Sequence, residues 1–263
     1  MADLAPADLS RYDDWLDWLR RRAAADDDVR VVWVGGSAAT GGYDDWSDID
    51  VEVLVTPGTH DEVYERWLAG IRADFEVDHV WELPREVWPD GRQCFVNHQA
   101  RAGLLEEPTR LVDLHLSSLS DEHRFVDVRR HGTPIVLHDP EGLVQLRDDD
   151  PEAMAAAIAS ALEQVRQRRA TGEWLVARAL ARGHLAEALD LYLRFGLGPV
   201  VRMLRVRHCP WRHDYGLRYL DTDLPPDVAA RVVALVPGAV GAAPLAELSP
   251  LCFAWYDELL AEL

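Results

Sequence analysis

The sequence contains no lysine, so its 27 basic side chains other than histidine are all arginine. A Walker A loop sets a lysine on the phosphates, and that class of nucleotide binder is therefore excluded. Cysteine is scarce as well. Cys94, Cys209 and Cys252 are far apart, odd in number and form no CxxC, which argues against a disulfide framework or a cysteine zinc site. No apolar run approaches the roughly 20 residues of a membrane span. The first 22 residues are acidic and amphipathic, unlike a signal peptide, so a soluble cytoplasmic protein is expected. Positive charge is outnumbered: 46 acidic residues give a formal net charge of −19 and a pI near 4.8. Such a field repels polyanions and attracts cations, so nucleic acid is not an expected partner. There is also no G-x-G-x-x-G after a strand, no G-x-S-x-G and no H-E-x-x-H, which removes dinucleotide folds, hydrolase elbows and zincins.

What remains is an ordinary globular composition, 48% hydrophobic over 263 residues, enough for a sizeable core. Leu9, Tyr12, Leu16 and Leu19 recur at helical spacing, predicting a helix over 6–25. Apolar runs predict strands at 29–34 and 49–55, a helix follows at 60–73, and another strand is expected at 75–81. Residues 82–107 show no clear period; 110–116 reads as a strand, 125–138 as a hairpin, and 139–142 as a turn. Beyond 148 the pattern becomes helical, with helices expected at 151–169, 172–182, 184–206, 226–236 and 244–262. Pro151 after an aspartate run suits the first of these. The chain therefore divides into a mixed α/β part, 1–147, and a helical part, 148–263.

The informative stretch is VVWVGGSAATGGYDDWSDIDVEVLV, residues 31–55. A buried strand ends in Gly-Gly-Ser and a second strand opens on Asp48-Ile49-Asp50. Alternate strand residues point the same way, so Asp48 and Asp50 share a face while Ile49 anchors the strand in the core. Paired carboxylates of this kind suit Mg²⁺, a hard ion that keeps positions for substrate phosphates. Gly36 lets the backbone approach a phosphate closely, and the Ser37 hydroxyl adds a donor.

GGS, a spacer and SDIDVEVLV together resemble the signature of the polymerase-beta-like nucleotidyltransferases, GS…DxD between two strands. The resemblance implies an α+β fold, with a small mixed-sheet nucleotidyltransferase domain followed by an all-helical C-terminal domain. It also implies Mg²⁺ and an NTP co-substrate, probed first as ATP. Asp48 and Asp50 are then metal ligands, and Gly35, Gly36, Ser37 and Ser47 cradle the nucleotide. A third carboxylate belongs on a later strand, and Asp113 in TRLVDLHL occupies such a position as base, metal ligand or both. VDLHL followed by VLHDPEG is similar to the aminoglycoside adenylyltransferases, especially the streptomycin-modifying branch. The helical half matches only in character and in WRHDYGLRYL.

The acceptor implied is a small cationic amino sugar, held between the two parts. Candidate contacts are Glu82, Glu86, Glu106, Glu107, Trp81 and Trp88 from the first, and Glu173, Trp174 and 211–219 from the second. Arg212, His213 and Arg218 are alternatives for nucleotide phosphate or base. His79, His98 and His115 read as ordinary histidines, and Trp33 as core. A transferase acting on a protein hydroxyl, as in toxin–antitoxin pairs, and a non-catalytic nucleotide-binding module are the competing readings. Oligomeric state is not set by the sequence.

Overall fold

A computed structural model describes residues 7–98, 110–120 and 122–238 of the chain. The chain falls into two compact units, Met1–Asp149 and Asp150–Leu263. The expected fold class holds: a mixed sheet lies in the N-terminal region and helices make up the C-terminal part. Glu106, Glu107, Cys252 and the helix expected at 244–262 lie outside the described residues.

The first unit opens with a 3-10 turn, Ser10–Tyr12, that leads into α1 (Asp13–Ala24), so the regular helix starts later than its apolar spacing implies. Asp13 and Asp14 at its start and Arg21 and Arg22 at its end complement the helix dipole. Next come β1 (Val29–Val34), the single helical turn α2 (Gly36–Thr40), β2 (Ile49–Val55), α3 (His60–Asp74) and β3 (Val77–Glu82). They are followed by β4 (Gly91–His98), β5 (Arg110–Ser118), β6 (Phe125–Asp127), α4 (Val128–His131), β7 (Ile135–His138) and β8 (Gln145–Arg147).

Six strands form one sheet in the order β3-β4-β5-β2-β1-β7. β2 and β5 run parallel, while the other neighbours run antiparallel. One face carries Val32, Val34, Val51, Val53, Cys94, Val96, Val112, Leu114 and Leu116, buried with the apolar sides of α1 and α3. Trp15 stacks flat on Phe75 at 4.0 Å and Trp18 meets Trp67 edge-on at 5.6 Å, adding ring geometry to area burial. Two of the indole nitrogens find carboxylates: Trp18 donates to Asp74 at 2.8 Å and Trp67 to Asp26 at 3.0 Å. On the opposite face, Val31, Trp33 and Leu54 pack with Val126. The rest of that face carries Asp50, Glu52, Gln93, Asp113 and His115, with Phe95 and Trp81 toward the β3 edge.

Two departures from the sequence reading concern this unit. Residues 91–98 form β4, inside the segment that showed no period. The strand alternates, but one of its buried positions is Arg92, an ion-pair partner of Asp61 at 2.9 Å and Glu82 at 3.1 Å; a buried cation breaks a hydrophobicity pattern. The hairpin expected at 125–138 does not form either. β6 pairs parallel with β8, and β7 adds to β1 instead.

The second unit is helical: α5 (Pro151–Ala181), α6 (Leu185–Tyr192), a π-helical turn (Leu193–Leu197), α7 (Gly198–His208), α8 (Leu220–Asp223) and α9 (Pro226–Val233). Asp150 caps α5 by accepting from the N–H groups of Glu152 and Ala153, with Pro151 at the first helical position. The break expected near 170 is absent, and α5 runs through Gly172 for 31 residues. A Cβ at Gly172 would stand 2.7 Å from that of Phe195, so this glycine serves a close packing contact and not a helix end. Leu197, Val201, Cys209, Leu220, Leu224, Ala229 and Val232 make the core.

At its centre lies Arg205, fully buried. Its guanidinium donates to Asp223 at 2.6 Å, to the Gly216 carbonyl at 2.8 Å and to the Arg218 carbonyl, while Arg212 takes the other Asp223 oxygen at 2.9 Å. The WRHDYGLRYL segment is wound around this one cation. Among the described residues no helix is long and apolar enough to cross a membrane.

Candidate active site

The polar part of the sheet face is organised by register. Asp50 on β2 pairs with Asp113 on β5, Asp113 with Phe95 on β4, and Phe95 with Trp81 on β3. On the far side the N–H of Gly35 donates to the Asp50 carbonyl at 2.8 Å. One cross-strand row thus reads Gly35, Asp50, Asp113, Phe95, Trp81, at about 4.8 Å per strand. A second row, one step along, reads Trp33, Glu52, His115, Gln93.

Gly36 follows β1 with a positive φ of 57°. A Cβ there would fall 1.6 Å from Oδ2 of Asp50, so both conformation and contact require glycine. The peptide of the Gly-Gly-Ser turn therefore lies directly against the Asp50 carboxylate. Ser37 follows in α2, its Oγ buried without a hydrogen-bond partner. A buried hydroxyl left unsatisfied is costly, and a ligand oxygen would relieve it. α2 is itself held from behind, because the Thr133 N–H donates to the Ala39 carbonyl at 3.0 Å.

Asp113 is positioned by Gln93, whose Nε2 donates to Oδ1 at 2.7 Å; the Trp88 indole in turn donates to Oε1 of Gln93 at 2.8 Å. Burial pushes the Asp113 carboxyl above its ordinary range. The Gln93 hydrogen bond opposes that rise, the negative charges of Glu52 and Asp48 add to it, and His115 works against it. Such a carboxyl, disfavoured as an anion, is one that a cation would relieve.

Asp48 immediately precedes β2. Its neighbourhood is fixed by Tyr12, whose hydroxyl has its one proton within reach of the carbonyls of Ser47 at 3.3 Å and Leu111 at 3.2 Å and accepts from the Leu111 N–H at 3.2 Å. One phenol therefore ties together the approaches to both aspartate-bearing strands, and burial pushes it up to about 12.

The structure brings Gly35, Gly36, Asp50 and Asp113 into one row, with Ser37 beside it. It does not bring the Ser47 hydroxyl in, because that group donates to Asp44 Oδ1 and accepts from the Asp44 N–H, both at 3.0 Å. Among the described residues no three His, Cys, Asp or Glu side chains are placed to hold a metal ion unaided. The donor chemistry nonetheless fits a phosphate-bound hard cation: carboxylates in register, a glycine cradle and an orphaned hydroxyl.

Four further groups join the site. His115, read from sequence as an ordinary histidine, holds Glu52 at 2.8 Å and lies under Trp88 at 4.7 Å. Glu52 and Gln93 were signalled only by alternation along DIDVE and RQCFV, two residues from a carboxylate or from its strand partner. Trp81, 56% exposed, stacks on Phe95 at 5.0 Å. Of the expected acceptor contacts, Glu82 is engaged by Tyr64 at 3.0 Å and by Arg92, and Glu86 is exposed. In the helical unit Glu173 pairs with Arg169, and Trp174 is covered by Arg178. Arg212 is committed to Asp223.

Residues 16–91 match the family model described as a nucleotidyltransferase domain. The first unit carries a nucleotidyltransferase domain. The match spans α1 to the start of β4 and includes the Gly-Gly-Ser turn, Asp48 and Asp50, while Asp113 lies beyond it. Comparison with curated proteins gives no match.

Proposed function

We propose that this nucleotidyltransferase moves AMP from ATP to a hydroxyl of a small cationic acceptor of the aminoglycoside type. The observation that carries the reading is the contact of the Gly36 backbone with the Asp50 carboxylate, in register with Asp113. It sets a glycine turn and two carboxylates within about one strand spacing of each other, an arrangement that suits a phosphate.

Asp48, Asp50 and Asp113 are the residues to hold Mg²⁺, which when bound supplies the positive charge that offsets the triphosphate. Ser37 Oγ donates to a phosphate oxygen, and the glycine turn lets the chain approach it. The acceptor oxygen attacks the α-phosphorus, and the bond from that phosphorus to the oxygen bridging to the β-phosphate breaks. Pyrophosphate leaves with that electron pair, and the hydroxyl proton passes to Asp113, oriented by Gln93. The acidity of the first unit favours a cationic acceptor. The exposed Trp81, in the same row, offers a face for a sugar ring.

The test is pyrophosphate release from ATP and Mg²⁺ across a panel of aminoglycosides, with Asp50→Ala as control. Release that depends on one of these acceptors and vanishes in the variant supports the reading. Release with a protein acceptor alone would transfer it to protein modification, and Mg²⁺-dependent ATP binding with no release in any arm would sink it.

A further inference from the structure

Several arginines of the helical unit are paired within it. Arg205 and Arg212 hold Asp223, Arg169 holds Glu173, and Arg166 reaches Glu163. Arg168 and Arg202 differ: neither makes a hydrogen bond or ion pair with a described residue. Both line the same cavity, of about 270 Å³, together with Arg194 and His213. Arg168 comes from α5, Arg194 from the π-helical turn, Arg202 from α7, and His213 from the segment that follows. Arg194 has only a solvent-exposed contact with Asp190 at 3.4 Å, the kind of pair that contributes little. Asp214 is the one acidic residue on the wall.

Three guanidinium groups from separate elements repel one another unless an anion stands among them. Their planar forks match phosphate oxygens better than ammonium groups would. The cavity is several times the roughly 30 Å³ that one water occupies, so it has room for more than a single small ion. We propose that this cavity is an anion site of the helical unit that takes a polyphosphate, the chemistry shared by free pyrophosphate and the tail of a nucleoside triphosphate. The proposal does not depend on the transfer reaction, since it concerns binding by arginines without a metal.

Calorimetric titration of the full chain in metal-stripped, low-salt buffer tests it, with inorganic phosphate, pyrophosphate and ATP as separate ligands. Wild type should bind pyrophosphate more tightly than inorganic phosphate. The double variant Arg168→Gln with Arg202→Gln should bind at least tenfold more weakly, and raised salt should weaken the wild type. Arg202→Lys, which keeps the charge, should retain part of the affinity and shows that a loss is not misfolding; circular dichroism checks the helices. Stronger binding of ATP than of pyrophosphate would identify the nucleotide tail as the source. Pyrophosphate binding unchanged in the double variant, or absent from the wild type, overturns the proposal.

Discussion

The two units carry their charge differently. Residues 1–149 hold 15 arginines against 32 acidic residues, a net of −17, whereas residues 150–263 hold 12 against 14, a net of −2. The acidity of the whole chain is thus the property of its sheet-bearing unit, where Asp50, Glu52 and Asp113 share a face. In that unit arginines serve as struts for aspartates, as Arg66 does for Asp26 and Asp28 at 2.5 and 2.7 Å. In the helical unit the relation is inverted, and acidic and carbonyl oxygens gather around one buried arginine. A chain-wide net charge therefore describes neither half, and an argument about partners has to be made unit by unit.

The contrast can be broken most forcefully at Arg205. Replacing it with leucine leaves Asp223 to Arg212 alone, strips the Gly216 and Arg218 carbonyls of their donor, and should cost the helical unit about 3–5 kcal/mol. A thermal or urea melt should show that loss while the sheet unit keeps its own transition. A single shared loss in both units would show that they are not energetically separate. Next in size is Asp50→Ala. Removing a preorganised electrostatic group should lower pyrophosphate release on the order of 10²–10³-fold and leave the melting profile nearly unchanged.

A third prediction sharpens the electrostatic difference. Burial alone would raise the Asp26 carboxyl, but the Arg66 fork and the Trp67 indole outweigh it and hold it below its ordinary value. A carboxyl depressed in the folded state adds stability that is present above its unfolded value and lost as the pH falls through the folded one. Asp26→Asn should therefore cost about 1.5–3 kcal/mol at neutral pH and much less in acid, in denaturant titrations at both. An equal cost at the two extremes would exclude an ionic origin. The smallest effect belongs to Tyr12→Phe. The lost hydroxyl should lower stability by about 0.5–1.5 kcal/mol, while pyrophosphate release falls by more than that stability change explains. Unaltered turnover would mean that the tie between Ser47 and Leu111 does not position the aspartates.

Much of the sheet unit was legible because its strands obey simple rules. β1 and β2 are β-branched and apolar, and both are bounded as their patterns imply. β4 was hidden because Arg92 stands where the alternation needs an apolar side chain. Its absence from the reading also hid Gln93, the one neutral partner of Asp113. His115 was legible as a residue but not as a neighbour of Glu52, since the two are 63 positions apart and meet only through the parallel pairing of β2 with β5. In the helical unit the outer signals were read well, with Asp150 and Pro151 starting α5 as expected. The gap expected between 169 and 172 does not form, because α5 continues through it, and only the proximity of Phe195 shows what Gly172 accommodates.

The parallel pairing of β2 with β5 also has a consequence for how the site comes into being. Every other neighbouring pair in the six-stranded sheet is antiparallel, whereas Asp50 and Asp113 meet only after α3, β3 and β4 have been threaded between them. Contacts so distant in the chain form late, since the entropy of closing the intervening loop comes first. A nascent or partly unfolded chain therefore holds its acidic groups scattered, and the carboxylate row comes together only when the sheet is whole. Assembly of the row is its own proof-reading: a chain that has not finished folding has not yet brought these carboxylates together.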